Sequence, residues 1–251
     1  MVDKSLGDAM QIIDAYWELR NLGVSTCEVE IEQTDKTDDI TDVLSTLQAS
    51  YQVIKAPAAM FDVYEILRKK GFVYVESSIR VSHLLKEISG PNVVIRLSNE
   101  VSFDEMNEND IGLMRSQIAS GMFQTDRVAL DPVFSNAQAA NRYIMWMNDE
   151  RERGSKFFNY KYKGNPVGFS CMREASPGIF YPVLGGVYNT KTALPIGSVI
   201  VYKQLEIARS LGGKSMYTYI SSNNPAVVRI YSQLGYVFED IKYVFIKHLF
   251  G

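Results

Sequence analysis

The chain has 251 residues, 46% of them hydrophobic, with 26 Lys plus Arg against 29 Asp plus Glu and a formal net charge of -3. That is ordinary globular composition, with apolar material for one large or two modest domains. No basic block provides the clustered cations that nucleic acid requires, and no apolar run approaches the roughly 18–20 residues of a membrane span, so neither partner is expected.

Residues 1–19 carry Asp3, Asp8, Asp14 and Glu18 and lack the basic and apolar regions of a secretory signal. Residues 8–22 read as a helix with Ile12, Ile13, Tyr16 and Leu19 apolar and Gly23 as its stop. Residues 25–32 alternate as a strand, with Cys27, Val29 and Ile31 on one face. A short helix over 38–48, a strand over 51–56, a helix over 58–70 ending at Gly71 and a long strand over 72–85 follow. Ser89-Gly90-Pro91-Asn92 has turn chemistry and sets the expected boundary between a domain of residues 1–92 and one of residues 93–251.

The second domain opens with an expected strand over 93–97 and a helix over 105–119, and Asp131-Pro132 ends the segment after it. A helix over 136–150 has Ala139, Tyr143, Ile144 and Met147 on one stripe, and Trp146 among its methionines reads as core. A hairpin over 157–172 turns at Gly164-Asn165-Pro166. A strand over 179–188, a loop, a helix over 197–211, a strand over 215–220, a helix over 225–234 and a strand over 237–246 complete the chain. The only two cysteines, Cys27 and Cys171, have no metal-ligand spacing and are expected as reduced thiols of a cytoplasmic protein. His83 and His248 are too few for a His-rich zinc site or a Ser-His-Asp triad and read as structural groups near strand ends, so no metal is expected.

The chain echoes itself. A shift of 164 positions carries Val63, Ile66, Gly71 and Val73 onto Val227, Ile230, Gly235 and Val237, the aromatics Phe72 and Tyr74 onto Tyr236 and Phe238, and Glu76 onto Asp240. Residues 24–85 read as a degenerate half-copy of the C-terminal unit.

The segment richest in chemistry runs from Asn224-Pro225 through Tyr231-Ser232-Gln233-Leu234-Gly235-Tyr236. Asn224 and Tyr231 are seven residues apart, which at 3.6 residues per turn puts them about two turns apart on nearly one helix face. Taken alone, an N-capping Asn and a core Tyr before a C-capping Gly explain the pattern equally well. Upstream stand a strand, a loop Thr192-Ala193-Leu194-Pro195-Ile196-Gly197 and a helix whose Val201, Leu205, Ala208 and Leu211 form a buried face.

In this order, the segments resemble the GCN5-related N-acetyltransferases (GNAT), in which a Gly-rich loop before a helix cradles the pyrophosphate of coenzyme A and an Asn and a Tyr follow on the next helix. The resemblance implies a mixed, mostly antiparallel α/β sheet flanked by helices, with acetyl-CoA as cosubstrate. Val187, Tyr188, Ala193, Leu194, Ile196, Gly197, Ser198, Asn224 and Tyr231 are then its expected contacts. Here only Gly197 matches the loop glycines, and Pro195 removes a backbone donor; either Ser198 and neighbouring amides offset this or the affinity for coenzyme A is lower. The strand at Val187 and Tyr188 is expected to splay and free backbone N–H groups for the thioester oxygen, with Tyr231 as general acid.

Gly71-Phe72-Val73-Tyr74-Val75-Glu76 and Phe123-Gln124-Thr125-Asp126-Arg127 are similar to segments of the TDP-fucosamine acetyltransferase type. That resemblance implies a nucleotide-linked amino sugar of polysaccharide biosynthesis as substrate, Glu76 as a water-mediated base, and Arg127, then Arg142 and Lys161, as diphosphate contacts. It leaves a homodimer open. The competing readings are a GNAT enzyme acting on an amino acid, peptide or antibiotic amine, and a non-catalytic CoA-binding module.

Overall fold

The computed structural model describes residues 9–188 and 194–249. They form two compact units: one comprises the chain up to Ile79, Ser221–Asn223 and the chain from Asp240, and the other comprises Arg80–Ile220 and Asn224–Glu239.

The first unit holds β1 (Gln11–Asp14), α1 (Trp17–Leu22), β2 (Thr26–Glu30), α2 (Thr37–Thr46), β3 (Tyr51–Pro57) and α3 (Phe61–Lys69). It also holds the start of β4 (Val73–Leu84) and the end of the last strand of the chain, β10 (Val237–His248). Strand order runs β1-β2-β3-β10, with β2 and β3 parallel from Thr26↔Tyr51 to Glu30↔Lys55. β1 against β2 and β10 against β3 are antiparallel. Ile40 of α2 and Val63 and Leu67 of α3 pack with Val29, Ile31, Ile54, Phe72 and Phe245.

The helix expected over 8–22 is a correction. Gln11–Asp14 alternates half-buried and exposed and pairs with β2 from Gln11↔Glu30 to Asp14↔Cys27, so only Trp17–Leu22 is helical. The expected apolar stripe faces outward, with Ile12 55%, Tyr16 75% and Leu19 60% exposed. Four backbone pairings to a neighbouring strand outweigh the periodicity of so short a segment.

The second unit adds α4 (Asn92–Ser98), β5 (Val101–Glu105), α5 (Glu108–Ala119), α6 (Asn136–Glu152), β6 (Lys156–Tyr162), β7 (Asn165–Ser176) and β8 (Ile179–Val187). α7 (Ile196–Ser210), β9 (Ser215–Ser221) and α8 (Pro225–Gln233) follow. From β5 the order is β5-β6-β7-β8-β9, antiparallel except for a parallel β8–β9 contact. Ile111 and Met114 of α5 and Tyr143 and Met147 of α6 bury against Phe157, Phe169, Cys171 and Tyr181, while α7 lies against β7 and β8.

Two further expectations change. Residues 93–97 are helical, not extended: Val94 and Leu97, three apart, are buried, Val93 is exposed, and the helix packs on α7. A short apolar run does not distinguish the two states by itself. The helix expected from Glu105 begins at Glu108, because Asn107 and Asp110 form a capping box and Val101–Glu105 pairs with β6.

The 164-position echo extends to the elements. Shifted, β3, α3 and β4 fall end to end on β9, α8 and β10, and α2 ends where α7 ends. The last strands are exchanged between the copies. The N–H of Leu85 donates to the carbonyl of Lys214 at 2.9 Å, and that of Leu249 to Ser50 at 2.8 Å. Likewise Ser222 donates to Ser77, and Ala58 to Ile241, both at 2.9 Å. Each pair of bonds is one bond counted twice, with the copies interchanged.

Candidate active site

β8 and β9 pair through the backbone only at Ile179↔Ser215 and Phe180↔Met216, the Thr218 hydroxyl donates to the Pro182 carbonyl at 2.9 Å, and beyond this they part. β8 stays bound to β7 as far as Gly168↔Val187, and the Tyr188 N–H donates to the Val167 carbonyl at 2.9 Å. Backbone N–H groups of a strand alternate in direction, so Val187 turns its N–H to the open side. The Tyr188 N–H is taken by Val167, and its ring is buried against Phe169 with a hydroxyl that has no partner among the described residues. Burial, and secondarily Asp110, push that hydroxyl's pKa well above the ordinary tyrosine range.

The start of α7 closes this opening. A Cβ built on Gly197 would lie 3.2 Å from Ile230 Cδ1 and 3.6 Å from Val187 Cγ2, so this glycine brings the helix start close to both β8 and α8. No side chain caps the helix at Pro195, and its first turn has no acid. The Ile196 N–H is spent on Leu194 at 2.8 Å, and Val199 donates to Pro195 at 3.2 Å. Among the described residues the N–H groups of Gly197 and Ser198 have no partner, and they stand at the positive end of a 15-residue helix. Leu194 is exposed and Ser198 buried. Thr192 and Ala193, expected in the same loop, lie outside the described residues.

α8 supplies the side chains. Asn224 is its N-cap, with Oδ1 accepting from the Val227 N–H at 3.1 Å; this occupies the oxygen and leaves the Nδ2 donors. Pro225 at the first helical position fits the same start. Tyr231 is buried edge-on to Tyr236, with ring centroids 4.6 Å apart. Burial, then the neighbouring Tyr181, raise its pKa well above the ordinary value. The hydroxyl is therefore protonated throughout the neutral range, as a proton donor requires.

Glu76 belongs to the first unit. Its carboxylate is buried, and its Oε2 accepts from the Ser221 hydroxyl, which in turn accepts from the Asn223 N–H at 3.1 Å. Arg127 is half-buried in the turn that follows Asp126, whose Oδ1 accepts from Val128 and Ala129. Arg142 pairs with Asp126 at 3.8 Å and Lys161 with Asp104 at 3.0 Å, so each is already matched to an acid.

The sequence reading passed over two features. Gly185 and Gly186 lie within β8 beside Val187. A Cβ on Gly186 would sit 2.4 Å from Met122 Sδ and 3.3 Å from Phe123, so the segment after α5 lies directly over this backbone. A Cβ on Gly185 would lie 3.4 Å from Nε2 of the buried Gln204. A Gly-Gly pair inside a strand was the available signal, since it marks close approach. The hydrogen bonds of Ser221 and Asn223 to β4 had no signal in the sequence.

No family model matches the sequence, and no curated protein is significantly similar to it. Solved structures are similar in fold. A functionally unknown conserved protein from Staphylococcus epidermidis is 16% identical with a TM-score of 0.63, covering 90% of this chain and 85% of its own. A GCN5-related N-acetyltransferase from Sphaerobacter thermophilus is 10% identical with a TM-score of 0.61, covering 95% and 76%. A GCN5-related glucosamine N-acetyltransferase region of a fungal multi-domain β-N-acetylglucosaminidase is 10% identical with a TM-score of 0.63, covering 95% of this chain and 31% of its own. The chain thus has the mixed α/β fold of the GCN5-related N-acetyltransferases.

Proposed function

We propose that this chain is an acetyl-CoA-dependent N-acetyltransferase that acylates the primary amine of a small molecule by direct transfer, and that its acceptor is a nucleotide-linked amino sugar. One observation carries the reading. The start of α7 at Gly197 stands against both Val187, where β8 has left β9, and Ile230 of α8, the helix that Asn224 caps. Acetyl-CoA supplies a thioester, which needs alignment with an amine more than covalent assistance.

The residues divide the work. The N–H groups of Gly197 and Ser198 receive the pyrophosphate, as helix starts do for anions. Asn224 Nδ2 donates to the pantetheine amides, and the Val187 N–H faces the thioester oxygen. Tyr231 gives its proton to the departing sulfur. Glu76 takes the ammonium proton through water, and Arg127 contacts the diphosphate of the acceptor. In this reading residues 93–251 form the acetyltransferase domain and residues 1–92 a half-domain descended from the same unit. An amino sugar is favoured as acceptor because the similar fungal region is a glucosamine N-acetyltransferase.

The test is free-thiol release from acetyl-CoA with a panel of nucleotide-linked 4-amino sugars, glucosamine, amino acids and peptides. Release is expected with the amino sugars. Release with amino acids or peptides alone would replace the acceptor, and a failure to bind acetyl-CoA would remove the reaction.

A further inference from the structure

The loop leading into Asn224 is strapped to β4 by side chains as well as backbone. The Ser222 N–H donates to the Ser77 carbonyl, and the Ser77 N–H donates back to Ser222 Oγ, both at 2.9 Å. Asn223 Nδ2 donates to the Val75 carbonyl at 2.9 Å. The Ser221 hydroxyl donates to Glu76 while accepting from the Asn223 N–H at 3.1 Å. Three consecutive residues thus hold three consecutive residues of a strand about 145 positions away. The other copy has the backbone bond alone. Its equivalent loop is Pro57-Ala58-Ala59, where Ala58 donates to Ile241 and no side chain is able to add a hydrogen bond.

A backbone bond suffices to join the strands, as the Ala-containing copy demonstrates. The added side-chain bonds therefore have another consequence, and the residue they precede is Asn224 in one copy and Met60 in the other. We infer that Ser221, Ser222 and Asn223 are positioning residues. Strapped to Val75–Ser77, they fix the backbone from which Asn224, the next residue of the chain, presents Nδ2, and with it the affinity for the acyl donor. This rests on the acetyl-CoA reading above.

The test is acetyl-CoA affinity by calorimetry in the full chain. Asn223→Asp keeps the shape, removes the donor and sets a carboxylate against the Val75 carbonyl. Ser222→Ala removes the acceptor of the Ser77 N–H, and Ser222→Thr keeps it. Losing one such bond weakens binding about 5- to 10-fold if the bond acts through the ligand contact. Asn223→Asp and Ser222→Ala are expected to show this loss with the thermal transition retained, and Ser222→Thr to restore wild-type affinity. In an Asn224→Ala background Asn223→Asp should add nothing, because residues acting through one contact are not additive. Wild-type binding with unchanged affinity in Asn223→Asp and Ser222→Ala overturns the inference, as does full additivity with Asn224→Ala. Absence of binding by the wild-type chain removes the acetyl-CoA reading itself, and the inference with it.

Discussion

Before α3 the chain reads Pro57-Ala58-Ala59-Met60; before α8, 164 positions later, it reads Ser221-Ser222-Asn223-Asn224. Between these loops and the ends of the following strands the two copies have the same element bounds and the same exchanged backbone bonds. What differs is chemistry. Leu67, fully buried, stands where α8 has Tyr231. α2 begins with Asp38 and Asp39 in its first turn, whereas α7 has no acid there. The first copy has Gln33 and Met60 at the positions matching Gly197 and Asn224, and with Thr37, Phe61 and Asp62 they line an open surface groove. Neither helix start has a side-chain cap, and an acid at a helix start repels the phosphates that an acid-free start attracts. Apolar spacing and backbone pairing thus keep one frame in both copies while the side chains along it differ in chemistry.

The largest effect expected to sharpen this contrast is on Tyr231. Tyr231→Phe makes the second copy as proton-poor as the first and should cut kcat about 10²–10⁴-fold, the usual contribution of acid–base catalysis, with acetyl-CoA affinity nearly unchanged. Because burial raises the Tyr231 pKa, this group stays protonated below the ordinary tyrosine value of about 10. A fall in wild-type activity on the alkaline side below that pH belongs to another group, whereas unchanged turnover in Tyr231→Phe returns Tyr231 to the core.

Next, Gly197→Glu gives α7 the acidic start that α2 already has. It should abolish the rise in Tm that acetyl-CoA produces by binding the native state alone. Retained stabilisation would place the cofactor elsewhere. Calorimetry on the wild type should correspondingly give one acetyl-CoA per chain, and a second equivalent in the groove at Met60 would break the comparison.

Leu67→Ala tests the frame of the first copy. Truncating a fully buried Leu should cost about 2–5 kcal/mol in chemical denaturation. Tyr231→Phe keeps its ring and should cost far less, so a similar loss from both would mean that the Tyr231 hydroxyl is held for a structural hydrogen bond. The smallest effect expected is that of Glu76→Gln, a fall in kcat of about 10²-fold, the lower end for a proton acceptor. Raising the pH should recover part of it as the amine loses its proton unaided. A wild-type pH–rate profile from this variant moves the base elsewhere.

The sequence by itself determined the elements whose pattern is long or capped. α8 was legible from Asn224-Pro225 to Gly235, β10 from its position after that glycine, and α7 from the spacing of Val201, Leu205 and Ala208. The repeat could be read too, because the turn glycines Gly71 and Gly235, both at positive φ, recur with the apolar positions around them. These are local preferences, written within a few turns of chain.

Tertiary structure alone decided the rest. Gln11–Asp14 is extended because β2 pairs with it, and residues 93–97 are helical because α7 covers Val94 and Leu97. Val187 has an open N–H and Tyr188 does not because β8 leaves β9 while remaining on β7. Ser221–Asn223 are tied to Val75–Ser77, and the last strands of the copies are exchanged, by bonds between segments far apart in sequence. Such bonds leave no period in the chain, since a hydrogen bond is specified by the meeting of a donor and an acceptor and not by their spacing.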